Sequence, residues 1–135
     1  MIAAGSSFYG SRIMRMKDRI VLITGAAGTI GSAIAQMIGR EGGRAIRTDL
    51  ASHGGQDYAL DVTSEENWRS VTEAIAKDHG HLDGLVNSAG VASLGTIESE
   101  DFAAYRKTMA VNVDGTLLGC KYAMPLLKIR GGSIV

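Results

Sequence analysis

The sequence predicts an α/β fold: a doubly wound parallel sheet that is incomplete at its fifth strand. Three observations predict it. Short apolar, β-branched runs recur along the chain. Stretches of helical periodicity separate them. Glycines mark the joints, at Gly25, Gly42-Gly43, Gly80 and Gly90. Strands separated by helices of this length imply right-handed crossovers and parallel pairing. The expected order is 3-2-1-4, with the start of strand 5 outside strand 4.

Each element has its own reason. Residues 19–24, Arg-Ile-Val-Leu-Ile-Thr, form a short apolar run closed by Gly25, the pattern of a strand buried on both faces. Residues 29–41 follow helical spacing, with Ile30, Ala33, Ile34, Met37 and Ile38 on one stripe. Gly42-Gly43 stops that helix. Residues 44–49 make a second strand that ends in Asp49. Residues 51–56 are polar and Gly-rich, a loop with at most one helical turn, and 58–60 are a weak third strand. Thr63 or Ser64 caps the next helix, with Glu65 and Glu66 in its first turn. Trp68, Val71, Ala74 and Ile75 face inward, and the helix ends near Gly80. Residues 82–87 are the fourth strand. Ser99 is expected to cap a long helix that reaches about Met124 or Leu127, with Pro125 ending or kinking it. Residues 132–135 begin a fifth strand.

Composition excludes several function classes. The chain has 135 residues, one domain's worth, with 45% hydrophobic and 21% charged residues. Fourteen basic and fourteen acidic side chains balance, so bulk electrostatics favours neither a nucleic-acid nor a membrane partner. No apolar run reaches the roughly 20 residues that span a bilayer. The single cysteine, Cys120, excludes an internal disulfide and fits a reducing, cytoplasmic compartment. Its neighbours Leu117, Leu118 and Tyr122 suggest a buried, inert thiol. Residues 1–16 open with a Ser-rich stretch holding Arg12 and Arg15 and no acid, loosely like a transit peptide. With internal Met14 and Met16, that segment reads as a disordered or misassigned extension, and 17–135 as the folded domain.

The residues that carry chemistry sit at strand ends, where doubly wound sheets bind ligands. Thr24-Gly-Ala-Ala-Gly-Thr-Ile-Gly31 joins the first strand to its helix. A pyrophosphate must approach backbone N–H groups at a helix N-terminus, and side chains would block it. Gly25 permits the turn, and Gly31 lets the helix sit against the strand. Asp49 can accept from both hydroxyls of an adenosine ribose, and its charge repels a 2′-phosphate. Arg47 lies two residues before it, on the same face but further back. Asp61-Val62 follows the third strand and Asn87-Ser-Ala-Gly90 the fourth. Taken singly, Asp61 is a helix cap, Asn87 a turn residue and Asn112 a polar residue that caps or kinks a helix. No metal site is implied.

Together these residues resemble the short-chain dehydrogenase/reductase family, from about Lys17 to the last residue. Thr24-Gly25…Gly31, Asp49, Asp61-Val62, Asn87-Ser88-Ala89-Gly90 and Asn112 within Val-Asn-Val match its motifs in order and spacing. Gly131-Gly-Ser-Ile-Val135 is similar to the strand that leads to its catalytic serine. The resemblance implies a Rossmann-like fold that binds NAD in preference to NADP. Gly25, Gly28, Thr29, Ile30 and Gly31 would cradle the pyrophosphate, and Asp49 would hold the ribose. Asp61 and Val62 would meet adenine. Asn87, Ala89 and Gly90 would steady the sheet centre and touch the cofactor. Asn112 would match the catalytic asparagine, which holds a water in the proton relay.

Two departures stand out. The family's loop is T-G-x-x-x-G-x-G, whereas Thr29 stands here at the sixth position and Gly28 one before it. That spacing is more like the extended branch of the superfamily, while Asn-Ser-Ala-Gly is like the shorter branch, with Ser88 in place of a second Asn. The family's catalytic Ser and Tyr-x-x-x-Lys are absent: four residues after Tyr9, Tyr58, Tyr105 and Tyr122 come Ile13, Val62, Met109 and Leu126. The expected function is therefore alcohol/carbonyl hydride transfer on a small-molecule substrate by a longer, homodimeric or homotetrameric protein, for example 3-oxoacyl reductase-like or a secondary-alcohol dehydrogenase. The 135-residue chain is a fragment expected to be inactive and poorly soluble. The alternative is a non-catalytic dinucleotide-binding module.

Overall fold

The computed structural model describes residues 13–135. The expected extension at 1–16 lies mostly outside the described residues. Of its last four residues, Met16 packs against the core beside Ile38 and donates its N–H to the Glu41 carbonyl at 3.0 Å.

The chain runs β1 (Ile20–Ile23), α1 (Thr29–Arg40), β2 (Arg44–Asp49), a 3₁₀ turn (Ala51–His53), β3 (Tyr58–Ala59) and α2 (Glu65–His79). It continues through β4 (Gly84–Val86), α3 (Phe102–Met109), a π-helical segment (Ala110–Asp114), α4 (Gly115–Leu127) and β5 (Ser133–Ile134). All strands are parallel, in the order β3-β2-β1-β4-β5. This is the expected Rossmann-like topology. Ile20 to Ile23 pair with Arg44 to Arg47 on one side, and Val21 to Ile23 with Gly84 to Val86 on the other.

Strand alternation divides the core between two faces. Val21 and Ile23 pack with Ala26, Ala35 and Ile38 under α1. Leu22, Ile46 and Leu85 face α2 and α4, among Trp68, Ile75, Leu126 and Leu127. Each fully buried aliphatic side chain contributes roughly 1.5–3 kcal/mol. Trp68 is wholly buried, and its indole N–H donates to the Val62 carbonyl at 2.9 Å. That bond ties the residues after β3 to α2, while parallel pairing brings them to the same edge as those after β1.

Several local expectations are corrected. The buried stripe of α1 is Gly31, Ala35 and Ile38, with Ile34 half-buried, whereas Ala33, Met37 and Ile30 face outward, Ile30 being 71% exposed. A close approach at Gly31 sets this rotation, because the smallest residue lies against the Gly25–Ala26 backbone of the loop after β1. The long helix starts at Phe102, not at Ser99. Asp101 caps it, accepting from Ala104 N at 3.1 Å, while the Ser99 hydroxyl closes the preceding turn by accepting from Thr96 N at 3.0 Å. Pro125 lies inside α4, which ends two residues later. Cys120 is half-buried, not buried, and its neighbour Leu117 is 65% exposed.

Candidate cofactor-binding site

The C-terminal ends of β1, β2, β3 and β4 open onto one cleft of about 890 Å³. Gly25, Gly28, Asp49, Asp61, Val62, Ala89 and Gly90 line it. The parallel sheet delivers all of them to one edge, although they are scattered over 66 positions of sequence from Gly25 to Gly90.

The floor is made by two loops locked together. The Thr24 hydroxyl is buried and accepts from Ser88 N and Ala89 N, each at 3.1 Å. Gly25 has φ +64°, and a Cβ there would stand 2.7 Å from Ala89 Cα. Only glycine permits both that turn and that contact. Gly31 lies below the floor. A Cβ on it would fall 2.3 Å from the Gly25 carbonyl oxygen, so α1 meets the loop with nothing between them.

The start of α1 is left open toward the cleft. Gly28 is its N-cap and offers no side chain, and the first turn carries no acid. Unsatisfied N–H groups and the helix dipole make such an end attractive to an anion. Among the described residues, His53 and Lys107 are the basic side chains that line the cleft. Arg47 is turned to the sheet's outer edge, its Nε 3.7 Å from Asp57.

Asp49 is buried at the end of β2. Its Oδ2 accepts from Ala27 N at 2.8 Å, and its Oδ1 from Leu50 N at 2.8 Å and from His53 Nδ1 at 2.5 Å. Burial works against its charge, but the bonds from Ala27, His53 and Leu50 outweigh it and hold the carboxyl below the ordinary aspartate range. It therefore stands as an anion beside the Gly-rich loop at neutral pH.

The other expected residues divide. Asp61 lines the cleft, but its Oδ1 accepts from Thr63 N (2.9 Å) and Thr63 Oγ1 (2.7 Å), which shapes the turn into α2. Val62 is buried at the cleft wall. Thr29, Ile30, Gly31, Asn87 and Asn112 are not among the lining residues. Asn87 sits in the sheet, donating its N–H to Val135 O at 2.8 Å, with Nδ2 buried and unpartnered. Asn112 lies in the π-helical segment and clamps the loop after β4: its Oδ1 accepts from Val91 N and its Nδ2 donates to Val91 O, both at 2.9 Å. It supports the cleft wall at Gly90 and Val91.

Among the lining residues that sequence reasoning missed are Leu50, His53, Lys107 and Val111. His53 lies within 51–56, expected only as a polar, Gly-rich loop with at most one helical turn, and Leu50 immediately precedes it. Lys107 and Val111 carry a faint signal, since four-residue spacing puts them on one helix face.

The residues present suit a dinucleotide: a bare helix start for a pyrophosphate, Asp49 for a ribose, and the wall at Asp61 and Val62 for a planar base. Residues 19–135 match the family model described as short chain dehydrogenase. The chain is 32% identical to trans-4-hydroxycyclohexanecarboxylate dehydrogenase of Sinomonas cyclohexanicum, covering 90% of this chain and 54% of that one. It is 33% identical to D-threitol dehydrogenase of Mycolicibacterium smegmatis, covering 90% and 52%. Its fold superposes with a TM-score of 0.76 on the ligand-free aldohexose dehydrogenase of Thermoplasma acidophilum, 33% identical, covering 90% and 49%. The chain thus spans about half the length of the relatives it matches. On this match, the chain belongs to the short-chain dehydrogenase family.

Proposed function

We propose that this chain supplies the NAD-binding part of an alcohol/carbonyl oxidoreductase. Short-chain dehydrogenases bind a nicotinamide dinucleotide, NAD or NADP. The observation that carries the preference for NAD is Asp49. It is an anion fixed by two backbone N–H groups at the cleft, with Arg47 turned away to Asp57. A carboxylate there favours a ribose diol and repels a 2′-phosphate.

When bound, the cofactor supplies the hydride donor or acceptor for the reaction. The chain's own residues bind and orient. The first-turn amides of α1 would hold the pyrophosphate, with Gly25 and Gly28 keeping side chains out of the way, Gly31 seating α1 on the loop, and Thr29 and Ile30 contributing backbone only. Asp49 would hold the ribose, Asp61 and Val62 would flank adenine, and Ala89 and Gly90 would form the floor. Asn87 holds the sheet beneath it, and Asn112 keeps the Val91 backbone in place. An amide does not titrate usefully, so Asn112 moves no proton by itself. The sequence holds no Tyr-x-x-x-Lys. The acid/base step therefore falls to residues outside these 135, and the chain alone binds without turnover. General acid–base help is worth about 10²–10⁴-fold in such steps.

The relatives' names span a cyclic hydroxy acid, a polyol and a sugar. We place the substrate no more finely than a small secondary alcohol or its ketone. The exposed apolar side chains Phe102, Val113 and Leu117 on the long helix support association into a homodimer or homotetramer by the longer protein. Among the described residues, no helix is long and apolar enough to cross a membrane. The single cysteine supports a reducing, cytoplasmic setting.

The test is titration calorimetry with NAD⁺ and NADP⁺ on the 135-residue chain and on Asp49→Ala. NAD⁺ is expected to bind more tightly than NADP⁺. Loss of charge-assisted bonds worth about 1.5–3 kcal/mol should weaken NAD⁺ by roughly 10- to 100-fold and narrow the preference. Equal binding of the two cofactors by the unmodified chain would overturn the reading of Asp49. NAD-linked oxidation of a panel of secondary alcohols by this chain would overturn the assignment of the acid/base step elsewhere.

A further inference from the structure

The His53 ring lines the cleft with its Nδ1 on Asp49 Oδ1. A carboxylate offers about four lone-pair positions. This chain fills three of them: Ala27 N on Oδ2, and Leu50 N and His53 Nδ1 on Oδ1. The three donors differ in kind. Ala27 and Leu50 donate from backbone fixed by the Gly-rich loop and the end of β2. His53 donates from a side chain that is 50% exposed, on a 3₁₀ turn of three residues, at the cleft wall. A grip on two ribose hydroxyls needs two free positions, and one is left.

We propose that His53 is a built-in competitor for Asp49: its Nδ1–H occupies the position on Oδ1 that one ribose hydroxyl takes, and binding of the dinucleotide displaces the ring toward solvent. This deepens, and rests on, the reading of Asp49 as the ribose ligand. Asp49 does not need the ring to hold its orientation, because two backbone donors already fix it, one on each oxygen. Removing the ring therefore leaves the carboxylate in place with a second position free. A ligand with both hydroxyls gains from that change. A ligand phosphorylated at one of them cannot claim the freed position, and it also loses a donor that offsets the carboxylate charge. His53 is thus a specificity-determining residue that holds NAD affinity below what Asp49 alone would give.

The experiment measures NAD⁺ and NADP⁺ binding by calorimetry to the 135-residue chain, His53→Ala and Asp49→Ala. His53 is exposed, so its replacement leaves the core untouched. The His53→Ala variant should bind NAD⁺ about three- to tenfold more tightly, the worth of one hydrogen bond, and NADP⁺ no more tightly. Weaker or unchanged NAD⁺ binding by His53→Ala would overturn the proposal. A second readout uses the unmodified chain: the imidazole ¹⁵N signals of His53 should lose the signature of a strong Nδ1 hydrogen bond at saturating NAD⁺. Signals that stay where they are would also overturn it. The Asp49→Ala arm separates the two levels. If it leaves NAD⁺ affinity unchanged, the ribose reading fails and the competitor with it. If it weakens NAD⁺ while His53→Ala does not tighten it, only the competitor fails.

Discussion

Two buried aspartates stand at opposite ends of this sheet, and they are used differently. Asp49 closes β2 at the cleft, and Asp83 precedes β4 at the other end. Each is held below the ordinary carboxyl range against the cost of burial. Each accepts a backbone N–H from another segment, Ala27 for Asp49 and Ile20 for Asp83. The difference lies in the remaining partners. Asp83 Oδ1 accepts from Arg19 Nη1 at 2.9 Å, and Oδ2 lies 3.3 Å from His81 Nε2, so a cation closes the group off. Asp49 has only the half-exposed His53 ring on its cleft side. A closed carboxylate is a fastener, and one left open on a cleft is free for the ligand role proposed for Asp49. On that reading the same chemical group serves both uses, and the neighbouring cations decide which.

The largest effect that tests this contrast comes from Gly31→Val. The Ala27 N–H reaches Asp49 because α1 lies directly on the Gly25 loop. A Cβ at Gly31 would meet Gly25 O at 2.3 Å and Ala26 Cα at 2.9 Å, and both are backbone atoms with no room to retreat. Overpacking of this kind costs on the order of 3 kcal/mol. The expected outcome is a Tm lower by about 10 °C and loss of measurable NAD⁺ binding. A variant with unchanged melting and unchanged affinity would show that the α1 contact does not build the site.

Asp83→Asn tests the fastener. Its folded pKa lies below the unfolded value, so its contribution is present above the unfolded pKa and is lost as pH falls through the folded one. Asparagine can still accept from Ile20 N but has no charge to pair with Arg19. We expect a loss of about 2 kcal/mol at pH 7, shrinking as the reference chain is acidified below about pH 4. Urea unfolding at pH 7 and pH 3 measures it. NAD⁺ affinity under native conditions should stay within about twofold, since the change is confined to the far end of the sheet. A large loss of affinity would break the division between the two ends.

How much of this was legible varies with how local the cause is. β2 ends at Asp49 as expected. Gly31 does seat α1 closely, as expected, but on the Gly25–Ala26 loop backbone and not on the strand. The rotation of α1 was misjudged: Ile30 and Met37 look like core residues in a periodic pattern, but contact at Gly31 turns them outward. Asp101 and Ser99 are equally good caps on paper, and only the turn at Thr96 decides between them. His53 was invisible because its meaning depends on a 3₁₀ turn folding back onto Asp49, a contact that no periodicity announces.

The smallest effect belongs to the other helix that starts at this edge. α2 is capped by Ser64, whose hydroxyl accepts from Asn67 N at 3.2 Å, and it carries Glu65 and Glu66 in its first turn. It thus satisfies its own dipole, whereas α1 brings neither a side-chain cap nor an acid and leaves its start to the cleft. If that difference reflects use, removing the cap of α2 should harm only the fold. Ser64→Ala is expected to cost about 1 kcal/mol, seen as a Tm lower by roughly 3–5 °C. NAD⁺ affinity should not move, because no ligand leans on the α2 amides. The converse exchange gives the sharper reading. Gly28→Asp would place a carboxylate at the N-cap of α1, where it would satisfy the first-turn amides and stabilise the helix start by up to about 1 kcal/mol. The same carboxylate would occupy the anion position and repel a pyrophosphate, so NAD⁺ binding should fall as melting temperature holds or rises. A Gly28→Asp chain that binds NAD⁺ as well as before would mean that the open start of α1 is not where the phosphates sit.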